Sequence, residues 1–287
     1  MTPALLDDLV RAAASEVLAV RGLDPAALPA DAGVERPRNP AHGEYATSVA
    51  LRTAGRIGVE PRELAGWLAE ALIRMPEVAG AEVAGPGFLN LRMTPDGRSA
   101  LVAEVLAEGE DYGLDGASLV EAAADLLVVA APEGLVEAVG ADAARYALAC
   151  GRVIDVALLR RRTADNPVFR IRYAHARAAS LIRNAADLGI GLGTDLRPLA
   201  HPREAELVCA IGHFPAVVRS GEPHRVARYL EALTGAFFDV QDVCPVLPVG
   251  DADVTDLHRA RLALVVAVRQ VLANGLGLLG VSAPDRI

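Results

Sequence analysis

Apolar positions recur every three to four residues through PALLDDLVRAAASEVLAVR, which predicts an amphipathic helix over 3–21. A proline-rich connection follows, and the run from Tyr45 to Arg56 reads as helix. Pro61 opens the next periodic stretch, PRELAGWLAEALIRM, at the first-turn position where proline is tolerated. The pattern then shortens: VAGAEVAGPGFLNLRMT reads as a strand, a Gly-Pro-Gly turn and a second strand. A helix from Asp96 to Glu108 completes a small domain over 1–115. Residues 116–139 read as a linker whose DLLVVAA piece suits either strand or helix. From 140 to 287 helical patterns follow one another, broken by LGIGLGTDLRPLAHP and CPVLPVGDADV. The last of them, ARLALVVAVRQVLANGLGLLG, is apolar enough to require burial. The pattern predicts an α+β fold class, with a small N-terminal α+β domain followed by an all-α helical bundle, and shows no internal repeat.

The segment NPVFRIRYAHARAASLIRNA, residues 166–185, departs from the usual amphipathic division. Asn166 and Pro167 read as N-cap and first-turn proline. At 100° per residue, Val168, Ile171, Ala174, His175, Ala178, Leu181 and Ile182 share one face. Phe169, Tyr173, Ala176 and Ser180 share the other, flanked by Arg170, Arg172, Arg177 and Arg183. Two rings a turn apart among four arginines suit a surface that stacks nucleobases and neutralises phosphates. They equally suit a contact with a neighbouring helix, the arginines pairing with acids elsewhere. His175 falls on the apolar face and reads as a hydrogen-bonded core residue.

Charge sharpens this picture. The chain has 287 residues, 52% apolar, and a formal charge of −9, so it is long enough for two ordinary cores. All 28 basic residues are arginine, which excludes Schiff-base lysines and P-loop phosphate binding. Between 160 and 184 seven arginines face Asp165 alone, a basic island in an acidic chain. Cys150, Cys209 and Cys244 lack any CxxC spacing and read as buried free thiols. His201, His213, His224 and His258 lack metal-ligand spacing, so no metal or cofactor is expected. GIGLGTD at 189–195 follows a helix rather than a strand and reads as a plain loop. His42 and Glu44 have no nucleophile or anion cradle beside them. The acidic start and the lack of a long uncharged apolar run predict a cytoplasmic protein with no membrane partner.

The same helix, with GADAARYAL before it, resembles the anticodon-binding DALR domain of arginyl-tRNA synthetases. PHRVARYLEALTGAFFDVQDVCPVL and the final helix are similar to the rest of that domain. RPRNPAHGEYATSVALRTA and EVAGPGFLNLRM resemble the family's N-terminal additional domain, which contacts the tRNA elbow. Of the ATP-binding catalytic domain that the family carries between these parts, 116–139 resembles a remnant, with what looks like its first strand in EDYGLDGASLVEAAADLL and its last connection in LVEAVGADAARY; there is no HIGH-like element, and a KMSKS-like loop needs lysine.

The resemblance implies residue roles. Phe88 and Asn90 match positions that touch the D-loop. Tyr173 matches a tyrosine near the anticodon pocket, and Phe169 stands where the family has another tyrosine. Arg172 replaces a glutamine, and Ile287 stands where the family commonly has a methionine packed near an anticodon base. Asp142 and Arg145 read as a structural cap and ion pair. The implied function is a non-catalytic tRNA-binding protein engaging the elbow and anticodon arm of an arginine acceptor. The implied contacts are Phe88, Asn90, Phe169, Arg170, Arg172, Tyr173, Arg177, Arg183 and Ile287. A partner enzyme could receive the tRNA. The alternative is an interaction or regulatory module, self-associating or bound to a partner, that no longer binds RNA.

Overall fold

The computed structural model describes residues 3–37, 42–115, 134–151 and 155–287, together with Ala117, Pro132 and Val153. The DLLVVAA stretch and most of the expected 116–139 linker lie outside the described residues. The chain divides into two compact units, Met1–Leu101 and Val102–Ile287.

The first unit holds helices α1 (Pro3–Val20), α2 (Val49–Ile57) and α3 (Pro61–Leu72). Its sheet comprises β1 (Val34–Glu35), β2 (Tyr45–Thr47), β3 (Val78–Ala84) and β4 (Phe88–Met93), antiparallel in the order β1-β2-β4-β3. Alternation along β4 sends Leu89, Leu91 and Met93 into a core with Leu6, Val10, Leu64 and Leu68 of α1 and α3. Phe88, Asn90 and Arg92 take the opposite face. The turn before β4 depends on glycine: Gly87 has φ +145°, and a Cβ there would lie 2.9 Å from Pro61 at the start of α3.

The expected helix from Tyr45 is corrected. Tyr45–Thr47 is an interior strand paired on both sides, Tyr45 with Leu91 and Thr47 with both Val34 and Leu89. Thr47 Oγ1 donates to the Ala32 carbonyl and accepts from Val49 N–H at 3.1 Å, and so it closes the strand and starts α2. Three residues are too short a run to display alternation, and the helical period of α2 extends back over them in the sequence.

Helix α4 (Pro95–Glu108) runs across the division between the units. The second unit continues through α5 (Leu135–Val139), α6 (Ala141–Cys150), α7 (Val156–Leu159), α8 (Pro167–Asp187), α9 (Pro202–Gly212), α10 (Phe214–Val218), α11 (Pro223–Val243) and α12 (Asp256–Leu278). Helix α8 packs against α12 and α11. Its buried positions are mostly alanine, so the backbones approach closely. By length and apolarity α12 suffices to cross a membrane, yet 67% of its most apolar window is buried in the bundle.

Residues 109–113, which the sequence pattern groups with the first domain, pack within the second unit. Tyr112 is fully buried and stacks on Phe214 with ring centroids 6.2 Å apart. Asn274 Nδ2 donates to the carbonyls of Gly109 and Tyr112, each at 3.1 Å. The three cysteines are buried and free, and 189–195 is loop.

Candidate nucleic-acid interface

Helix α8 begins where the sequence predicts. The Asn166 side chain accepts from Phe169 N–H, while its Nδ2 donates to the carbonyls of Leu159 at 2.9 Å and Arg161 at 2.8 Å. The cap thereby fixes the rotation of the helix and the direction in which its rings point.

The rings meet a neighbouring helix, as one of the two sequence readings has it, and also stay partly open to solvent. Phe169 and Tyr173 stack with centroids 6.2 Å apart and planes 13° apart, and Tyr173 stacks in turn on Phe238 of α11 at 6.0 Å and 25°. The rings therefore make an interhelical contact. They are not in the interior, however: Tyr173 is 45% exposed and Phe169 half-buried. The Arg170 guanidinium lies 5.7 Å from the Phe238 ring centre, and exposed Arg177 donates through Nε to Gln241 of α11 at 3.3 Å. The result is a strip of three rings across two helices, with cationic groups at its margin.

Phe238 is the residue that sequence reasoning missed. Its signal is the FF pair in GAFFDV: adjacent rings on a helix point about 100° apart, so burying Phe237 turns Phe238 outward.

Two predicted contacts take other partners. Arg172 donates to Ser282 through Nε and Nη2, and pairs with Asp142 at 3.3 Å. Arg183 donates to the Asp285 carbonyl at 3.3 Å. Both belong to a lacing that fastens residues 280–285 across α6, α8 and α12. In the same lacing Arg145 donates to the Gly280 carbonyl at 2.7 Å, and Arg269 to the Asp285 carboxylate at 2.7 Å. Asp142 accepts from Ser282 N–H at 3.0 Å, so both residues act structurally but not as expected: the N-cap of α6 is Gly140 without a side-chain cap, the ion pair of Asp142 is with Arg172, and Arg145 bonds a backbone carbonyl. Ile287, beyond the last tether, is 55% exposed.

Buried His175 sits in the middle of this lacing, 2.9 Å from the Pro284 carbonyl. A carbonyl only accepts, so Nδ1 carries the proton. Burial holds its pKa below the ordinary histidine value, opposed by the Pro284 hydrogen bond. Asp285 titrates below the usual carboxylate range because Arg269 hydrogen-bonds its charged form.

In the first unit, Phe88 and Asn90 stand two residues apart on the sheet face away from the helices. Asn90 sits between Ala46 and Glu82 and is buried, unlike the accessible contact residue expected of it, while Phe88 is 39% exposed. Glu44 is occupied structurally, accepting from Arg98 and from Met93 N–H. Among the described residues no group of three or more side chains could hold a metal ion.

The comparisons with known proteins divide the chain in the same way. The arginyl-tRNA synthetase N-terminal domain family matches residues 4–93, and the DALR anticodon-binding domain family matches 171–287. No catalytic-domain family matches between them. Among solved structures, an arginyl-tRNA synthetase of Campylobacter jejuni is 20% identical with a TM-score of 0.45, over 53% of this chain and 34% of that one. The Thermus thermophilus arginyl-tRNA synthetase is 24% identical with a TM-score of 0.43, over 64% of this chain and 32% of that one. The chain thus spans about a third of the length of these synthetases. With its N-terminal sheet unit and its ring-bearing helical bundle each matched in order, the chain is an arginyl-tRNA synthetase-like protein that joins the family's N-terminal domain to its DALR anticodon-binding domain.

Proposed function

We propose that this chain binds tRNA without aminoacylating it. The strip of Phe169, Tyr173 and Phe238 takes bases of the anticodon arm, with Arg170 and Arg177 beside it, and the sheet face at exposed Phe88 takes the elbow. An arginine-accepting tRNA is the ligand that the two domain matches favour. The observation that carries this reading is the exposure of Tyr173 between two stacked rings with a guanidinium near the third. A half-open aromatic platform with cations at its margin binds single-stranded bases with little demand on their identity. Adenylation needs ATP phosphates oriented and the leaving pyrophosphate stabilised. The chain has no lysine and only residues 94–170 between the two family matches.

The test is binding of purified tRNAs to the full chain between 50 and 200 mM salt, alongside ATP–pyrophosphate exchange. Binding whose affinity falls steeply with salt, together with exchange at background, is the expected result. Exchange above background overturns the non-catalytic part. A second reading draws on the engagement of Arg172 and Arg183 in the lacing and on the overall charge of −9: a protein-interaction module that no longer binds RNA. No tRNA binding at micromolar protein, with a dimer that hides Tyr173, would establish that reading instead.

A further inference from the structure

A cleft of about 330 Å³ opens on the bundle between residues 138–143, the loop of Arg160, Arg161 and Arg162, and the first turns of α8. That volume is at the lower end of sites that take small ligands, about 300–1,000 Å³. Four arginines line it, the three of the loop and Arg172, against one acid, Asp142. The carboxylate of Asp142 is already engaged by Ser282 and Arg172. Arg160 donates through Nε to the Ala138 carbonyl at 2.7 Å, which fixes one side of the loop. Arg161 and Arg162 are exposed and make no side-chain hydrogen bond or ion pair among the described residues.

Three consecutive guanidinium groups on a fixed loop repel one another, and an anion between them relieves that repulsion. The planar fork of arginine matches phosphate oxygens in pairs. The opposite wall carries Asp142, already held by Ser282 and Arg172, and the N-terminal end of a helix, which favours an anion. That end is the first turn of α6, whose first amide with a backbone acceptor is that of Ala144, bonded to the Gly140 carbonyl at 3.0 Å. Phe169 lines the cleft and also begins the ring strip, stacking on Tyr173. A strand with a phosphate in the cleft is therefore positioned to lay bases on the rings.

We propose that this cleft is a phosphate-binding site, and that its occupant is a backbone phosphate of the same RNA strand whose bases stack on Tyr173. The identity of the occupant rests on the tRNA-binding reading above; a free pyrophosphate offers the same chemistry, and the experiment separates the two.

The full chain and its Arg161→Gln/Arg162→Gln variant are compared, both residues being exposed enough for the fold to persist, as matching melting temperatures will confirm. In tRNA titrations over a salt series, the variant shows a slope of log affinity against log salt shallower by about 1 to 2. Tyr173→Ala weakens binding and keeps the slope. If tRNA binds and the double variant retains both affinity and slope, the cleft proposal is overturned while the tRNA reading stands. If the chain does not bind tRNA, the tRNA reading fails, and titration with inorganic pyrophosphate decides the cleft. A saturable thermal shift that the double variant lacks keeps the phosphate site with a free ligand, and no shift overturns it.

Discussion

At Tyr173 one side of the ring meets Phe169 and another meets Phe238, while 45% of the residue stays open to solvent. The hydroxyl has no partner among the described residues, so the platform depends on the ring. Tyr173→Phe should keep tRNA affinity within about twofold. Tyr173→Ala should lose about 1 to 3 kcal/mol, roughly 5- to 150-fold, as expected when one stacked base loses its platform. Fluorescence anisotropy with labelled tRNA measures both.

His175 gives a second residue-scale consequence. The unfolded chain takes up this proton near pH 6.5, while burial keeps the folded histidine neutral to lower pH. Below about 6.5 the unfolded state therefore binds more protons, and stability falls until the folded histidine also protonates. Arg269 further disfavours the proton, and Asp285 and the Pro284 carbonyl favour it, the balance remaining downward. Urea unfolding at pH 7.5 and 5.5 should show a larger loss for the native chain than for His175→Asn.

At the scale of elements, two connections hold the bundle around the strip. Glu204 of α9 is fully buried, accepts from His201 N–H in a capping box, and pairs with Arg261 of α12 at 2.7 Å. Arg261→Met leaves that carboxylate buried without its counter-charge and should cost about 3 to 5 kcal/mol in denaturant unfolding. The lacing of 280–285 over α6, α8 and α12 is the other connection. Removing residues 282–287 takes away the Ser282 and Asp285 partners of Arg172 and Arg183 and exposes His175, so the melting temperature should drop. A truncated chain with an unchanged melting temperature would show the lacing to be decorative.

The helices of both units were legible because capping and period are local: Asn166-Pro167 marks the start of α8, and Pro61 that of α3. The strand Tyr45–Thr47 was not, since its identity comes from pairing with Leu91 and Leu89, far along the chain. The ring-and-arginine character of α8 could be read from spacing, whereas the division of its arginines could not. Arg172 and Arg183 look like Arg170 and Arg177 in one dimension. Only the fold brings Ser282 and Asp285 beside the first pair. Phe238 was missed for the same reason, its stacking partner lying on another helix.

For the whole molecule, the formal charge of −9 sets a condition that any RNA-binding account must meet. A uniformly acidic surface would repel tRNA. Here the basic island at 160–184 gathers seven arginines in one segment, and the fold places its open members around the rings and the cleft. Binding should accordingly be local to this face, and strongly weakened between 50 and 200 mM salt. The most direct test puts a photo-crosslinking amino acid at position 173 of the full chain and maps its adducts on bound arginine-accepting tRNA by sequencing. Adducts concentrated in the anticodon arm are the predicted result. Adducts confined to the acceptor stem, or none at protein concentrations where tRNA is bound, would contradict the account.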